Sequence, residues 1–192
     1  MTRVDHCGIE GSTNFFPGKN PQIALRAFLQ IRDRIPHHIV LAGRRVREFF
    51  LHMGFTEADF ERVQFINFLP FEELPKLYNL AEIVVHVPQY EGFGFALMGA
   101  LACGVPTVTS KTGACPEVVE DAALLADPFD ADNVAEKILQ LVTDRALRAD
   151  LRTKGLRRMS ELTWDRTARI TLDALVQVVE GTRGKVEHRM NI

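Results

Sequence analysis

Short apolar runs alternate along most of this chain with stretches whose apolar positions recur every three or four residues. His38-Ile39-Val40-Leu41-Ala42-Gly43 is one such run, stopped by glycine, and Val63 to Leu69, Ile83 to Val87 and Val105 to Thr109 are others. Runs of this length, bounded by turn residues, predict buried strands. Ala122 to Ala126 is a weaker sixth candidate, and Val4 to Ser12 makes a poor first strand by composition. Helices are predicted in between. Asn20-Pro21 opens a segment with Ile23, Ala27, Phe28 and Ile31 at helical spacing, ended by Pro36. Phe71 to Leu80 and Gly94 to Cys103 read the same way, and a basic amphipathic stretch runs from Arg44 to Met53. From Asp130 onward the pattern is helical throughout, near 130–143, 146–160 and 164–180. In the last of these, Trp164, Ala168, Leu172, Leu175 and Val179 form one stripe.

Apolar strands separated by helices predict an α/β fold, a doubly wound parallel sheet of about six strands with a helical C-terminal tail at about 130–180. One domain is expected over 1–192. Such sheets bind ligands beyond the carboxyl ends of their strands, so functional residues are sought in the loops leading into helices.

Charge and composition then narrow the partners. Lys plus Arg (23) nearly balances Asp plus Glu (25), a net charge of -2. That lacks the footprint of a nucleic-acid binder, and no nucleic-acid partner is expected. No run of about 18 apolar residues is present, and the start lacks the apolar stretch of a secretory signal. Cys7, Cys103 and Cys115 form no zinc spacing, which makes a reducing cytoplasm the expected location. The Arg44-Arg45-x-Arg47 cluster with Phe49 and Phe50 reads either as a solvated helix face or as a peripheral contact with an anionic membrane. His37, His38, His52, His86 and His188 lack partners at ligand spacing and read as structural or exposed.

The most informative segment is Pro88-Gln89-Tyr90-Glu91-Gly92-Phe93-Gly94-Phe95, between a predicted strand and a predicted helix. Glycines on either side of Phe93 permit close backbone approach and positive φ. The unpaired amides and dipole of the helix start favour a phosphate or sugar oxygen. Glu91 adds an acceptor-only carboxylate suited to hydroxyl groups, the alternative being that it simply caps the helix. Lys19, after Gly18, is a candidate phosphate cation or a solvated turn residue. Cys115 lies in a loop near this turn, where a reactive thiol is one reading.

Together with Ala102-Cys103-Gly104-Val105-Pro106-Thr107-Val108 and Gly113-x-x-Pro116-Glu117-Val118-Val119, the Glu91-Gly-Phe-Gly turn resembles the family 4 retaining glycosyltransferases. The similarity covers their C-terminal, donor-binding domain from about Gly11 onward, including Gly18-Lys19-Asn20. It implies the Rossmann-like half of a two-domain GT-B fold, and transfer of a hexose from a nucleoside-diphosphate sugar to a hydroxyl acceptor with retention. By that resemblance Lys19 contacts the diphosphate and Glu91 the hydroxyls of the transferred sugar. Gly92, Phe93, Gly94 and Phe95 offer backbone groups to phosphates and sugar, and the base lies around Leu69-Pro70-Phe71. No metal and no cofactor beyond the nucleotide-sugar donor is implied.

Two positions depart from the family pattern. Its second glutamate, which grips ribose hydroxyls, falls at Gly99, and losing a charge-assisted hydrogen bond costs ~1.5–3 kcal/mol. Its second diphosphate cation falls at Asn14, leaving Lys19 alone. The family's N-terminal acceptor domain has no counterpart in this chain, so that domain or a separate subunit is the expected partner, and little transfer is expected without it. The alternative is a non-catalytic nucleotide-binding or protein-interaction module with the same fold.

Overall fold

A computed structural model describes residues 6–11 and 17–190. The chain divides after Arg158 into two compact units, Met1–Arg158 and Met159–Ile192. Among the described residues six strands carry the first: β1 (His6–Gly11), β2 (His38–Ala42), β3 (Val63–Ile66), β4 (Val84–His86), β5 (Thr107–Ser110) and β6 (Leu124–Ala126). β2 pairs in parallel with β1 and β3, and β5 in parallel with β4 and β6. The strands thus form two three-stranded parallel sheets, and β1 packs beside β4, so the spatial order across both is β3-β2-β1-β4-β5-β6. The winding therefore reverses between β1 and β4, which is where such sheets open a crevice. The weakly patterned first segment does form a strand. Its register with β2 shifts between His6 and Ile9, and its place between β2 and β4 supplies what its side chains lack, since strand formation follows context more than composition.

Alternation along the strands explains the double winding. Successive strand residues point to opposite faces. Ile39 and Leu41 of β2, with Val85 of β4 and Val87 just beyond it, join Leu25 and Phe28 of α1 (Pro21–Ile31) and Ile138 and Leu141 of α6 (Ala131–Thr143) in one core. Val40, Ala42 and Val84 pack on the other face with Tyr78 of α3 (Leu74–Leu80) and Ala100 of α4 (Phe95–Ala102). Both faces are buried, as the apolar runs require.

α2 (Val46–His52) resolves the reading of the basic stretch. Phe50 is fully buried and Phe49 packs against the same core. The aromatic pair thus faces inward and leaves the arginines as a solvated face.

α5 (Cys115–Val119) and α7 (Arg145–Glu161) complete the helices that cover this unit. At the amino ends of the strands, Arg148 of α7 donates to the carbonyls of Leu141 and, at 2.7 Å, Val142, closing the last turn of α6. Its other nitrogen lies 2.9 Å from Glu82 Oε1, and Glu82 Oε2 is 3.2 Å from Nε2 of buried His37. The second unit contains α8 (Trp164–Met190), whose stripe residues Trp164, Leu172, Leu175 and Val179 are exposed. Among the described residues no helix is long and apolar enough to cross a membrane.

Candidate functional site

The segment 17–20 and the loops after β4, β5 and β6 meet at the carboxyl ends of the strands. Asn20 ties them together. It is buried in a left-handed conformation (φ 58, ψ 37), which asparagine adopts more readily than most residues. Its side-chain amide donates to Val87 O at 3.0 Å and to Pro128 O at 2.7 Å. The Gln89 amide donates to Gly18 O at 2.9 Å, so Lys19 is held against the loop that carries Glu91.

That loop is fixed from the other side as well. Thr112 Oγ1 donates to Gln89 O at 3.0 Å, Ala114 N to Glu91 O at 2.9 Å, and Ser110 Oγ to Pro88 O. Gly113 stands at φ +60, and a Cβ there would lie 2.9 Å from the backbone N and O of Glu91, so only glycine allows this approach. Of the two glycines flanking Phe93, Gly94 alone is left-handed, at φ +88, as the N-cap of α4. Gly92 needs no positive φ and has open space around it, so the expectation for it is corrected: its backbone is within reach of any residue.

These constraints bring three polar side chains together. Lys19 Nζ lies 2.6 Å from Glu91 Oε2, and His86 Nε2, at the end of β4, lies 3.3 Å from the same oxygen. The Lys19 side chain is 32% exposed, that of Glu91 12% and that of His86 2%. The hydrogen bond from His86, helped by the Lys19 ammonium and opposed by burial, brings the Glu91 carboxyl down to about 2. Glu91 is therefore ionised throughout the physiological range. An ionised carboxylate only accepts, so Nε2 of His86 carries the hydrogen.

The trio borders a cavity of about 520 Å³ whose remaining walls are largely apolar, including Phe71, Leu74, Tyr78, Phe95 and Gly99. A Cβ on Gly99 would lie 3.0 Å from the Tyr78 ring, whose hydroxyl is turned to Ala96 O at 3.0 Å. No carboxylate stands on that wall, and the ring limits the room for one.

Lys19, Glu91, Phe95 and Gly99 thus line one cavity. Gly92 and Phe93 stay on the exposed loop, with the Phe93 ring 5.3 Å from that of Phe95, edge to face. Leu69 is half-buried and lies outside the lining, whereas Phe71 two residues on contributes to it. Asn14 lies outside the described residues. Cys115 is fully buried and burial pushes its thiol up, so the reactive-thiol reading fails. His86 is the residue missed, read from sequence as merely structural or exposed. Its signal was a lone polar side chain in the run Ile83-Val84-Val85-His86-Val87, at the strand end that faces the loops.

Comparison with known proteins agrees with this fold. Residues 12–158 match the family described as glycosyl transferases group 1. The chain belongs to that family. O-antigen chain mannosyltransferase B of Escherichia coli is 33% identical over 162 residues, a match covering 82% of this chain and 42% of the relative. Among solved structures, sucrose-phosphate synthase from Thermosynechococcus elongatus superposes with a TM-score of 0.80 at 24% identity, over 94% of this chain and 47% of that one. HepE of Anabaena, solved in complex with UDP-glucose, superposes with a TM-score of 0.75 at 20% identity, over 91% of this chain and 49% of its own. Both likenesses identify the fold as the Rossmann-like α/β unit of GT-B glycosyltransferases. The chain spans less than half the length of each of these three proteins.

Proposed function

We propose that this chain binds the nucleoside-diphosphate sugar for a retaining hexosyltransferase and needs an acceptor-binding domain or subunit to complete transfer. The observation that carries this reading is the Lys19–Glu91 pair at 2.6 Å, set where the glycine-capped α4 begins and bordering the apolar cavity. Cleaving the bond between the anomeric carbon and the diphosphate puts negative charge on phosphate oxygens. An ammonium at Lys19 and the first-turn amides of α4 meet that charge, and such groups favour the transition state over the ground state. They supply the positive potential a divalent ion could otherwise provide, and the scheme uses no metal. Glu91 orients the hexose by accepting from its hydroxyls. The cavity walls, with Phe71 and Phe95, suit the face of a base. Retention places the acceptor hydroxyl on the side from which the diphosphate leaves.

Calorimetric titration of the chain with UDP, GDP, ADP, UDP-glucose, GDP-mannose and ADP-glucose tests this. Micromolar binding to one nucleotide and its sugar, weakened in Lys19→Ala and Glu91→Ala, with little transfer by the chain alone, is the expected outcome. The apolar wall at Gly99 favours a second reading, a non-catalytic module. Absence of binding to all six compounds by a folded chain would decide for it.

A further inference from the structure

Lys19 and His86 both converge on Oε2 of Glu91, at 2.6 and 3.3 Å, and neither engages Oε1. The two donors differ in freedom. His86 is 2% exposed at the end of β4, a strand paired to β5, so it is fixed in place. The Lys19 ammonium rides on a flexible stem and is 32% exposed. A diphosphate carries more negative charge than one carboxylate and competes for that ammonium. When Lys19 turns to it, Glu91, only 12% exposed, loses its cation in a setting where burial disfavours the ion.

We propose that His86 is a positioning residue for Glu91, holding that carboxylate in place, with Oε1 directed at sugar hydroxyls, while Lys19 transfers to the donor diphosphate. The proposal rests on the donor-binding reading above. His86 touches neither sugar nor phosphate in this scheme. It lets the Lys19–Glu91 pair open without leaving a buried carboxylate unpartnered.

The test is titration of the whole chain and its H86L, H86Q, E91Q and H86L/E91Q variants with UDP-glucose and GDP-mannose. H86L should weaken binding of the nucleotide sugar about tenfold or more, the order expected for one hydrogen bond to an ion. H86Q, which keeps a donor within reach, should restore most of it, and H86L should add nothing in the E91Q background. Wild-type affinity in H86L, or a full additional loss on top of E91Q, overturns the proposal and leaves donor binding intact. A wild type that binds neither compound overturns both. Should H86L not fold, nitrogen NMR of labelled histidine in the wild type and E91Q carries the test. Nε2 should stay protonated on donor addition, and its signal should move in E91Q; an unmoved signal overturns the proposal.

Discussion

Among the described residues two histidine–carboxylate–cation groups stand out, one at the amino ends of the parallel strands and one at their carboxyl ends. At the amino ends, buried His37 meets Glu82, which meets Arg148; at the carboxyl ends, buried His86 meets Glu91, which meets Lys19. The parts match and the surroundings do not. Arg148 also donates to two carbonyls that end α6, so its guanidinium is committed to the fold. Lys19 gives its ammonium to Glu91 and borders a cavity. The first group borders a cavity as well and leaves His37 Nδ1 buried without a hydrogen-bond partner, but its cation is held by three protein acceptors. The second has a cation that can change partners, which is what a binding site needs and a structural clamp does not.

Exchanging one cation from each group gives the largest contrast. Lys19→Ala should weaken nucleoside-diphosphate binding by about 10- to 100-fold, the loss of a charge-assisted contact, while the melting temperature stays close to wild type. Arg148→Ala should do the reverse, lowering the unfolding free energy by about 1–3 kcal/mol as acceptors at the end of α6 lose their donor, with nucleotide affinity unchanged. Titration and denaturant unfolding on both variants check this, and a stability loss confined to Lys19→Ala would break the comparison. Gly94→Ala should cost about 1–2 kcal/mol of stability, because a left-handed φ is strained for any residue with a Cβ. A shift of the backbone to relieve that φ would move the start of α4 beside Glu91, so nucleotide-sugar affinity should fall with stability in the same variant.

The smallest effect is a pH dependence. Glu91 is held at about 2, below its ordinary 4.5, so its ionised form contributes stability that is fully present above pH 4.5. That contribution fades as pH falls from 4.5 towards 2. The melting temperature of wild type should therefore exceed that of Glu91→Gln near neutrality and converge on it through that range. A constant gap would mean that His86 and Lys19 act on Glu91 by packing alone.

Local patterning made much of this architecture legible. Four apolar runs announced β2 to β5, and the glycine turn before a small-residue helix announced the start of α4. β1 was hard to see because its partners lie far along the chain and a central strand takes its stability from neighbours. Gly92 and Gly94 look alike in sequence, yet only the backbone path tells which one bends left-handed. Leu69 and Phe71 differ by which side chain the turn after β3 sends towards the cavity. His86 was concealed by its apolar neighbours, since Glu91 meets it only once the loop folds back over the strand end.

The one tryptophan, Trp164, is 78% exposed on α8, in the second unit. An indole already surrounded by water emits as it would in an unfolded chain, so an intrinsic-fluorescence melt would miss the collapse of the sheet. Of the two tyrosines, Tyr78 is 4% exposed and packs in the core beside Gly99. Near-ultraviolet dichroism of that ring is the spectroscopic handle on the first unit, and its environment would also change when a nucleotide fills the cavity it lines.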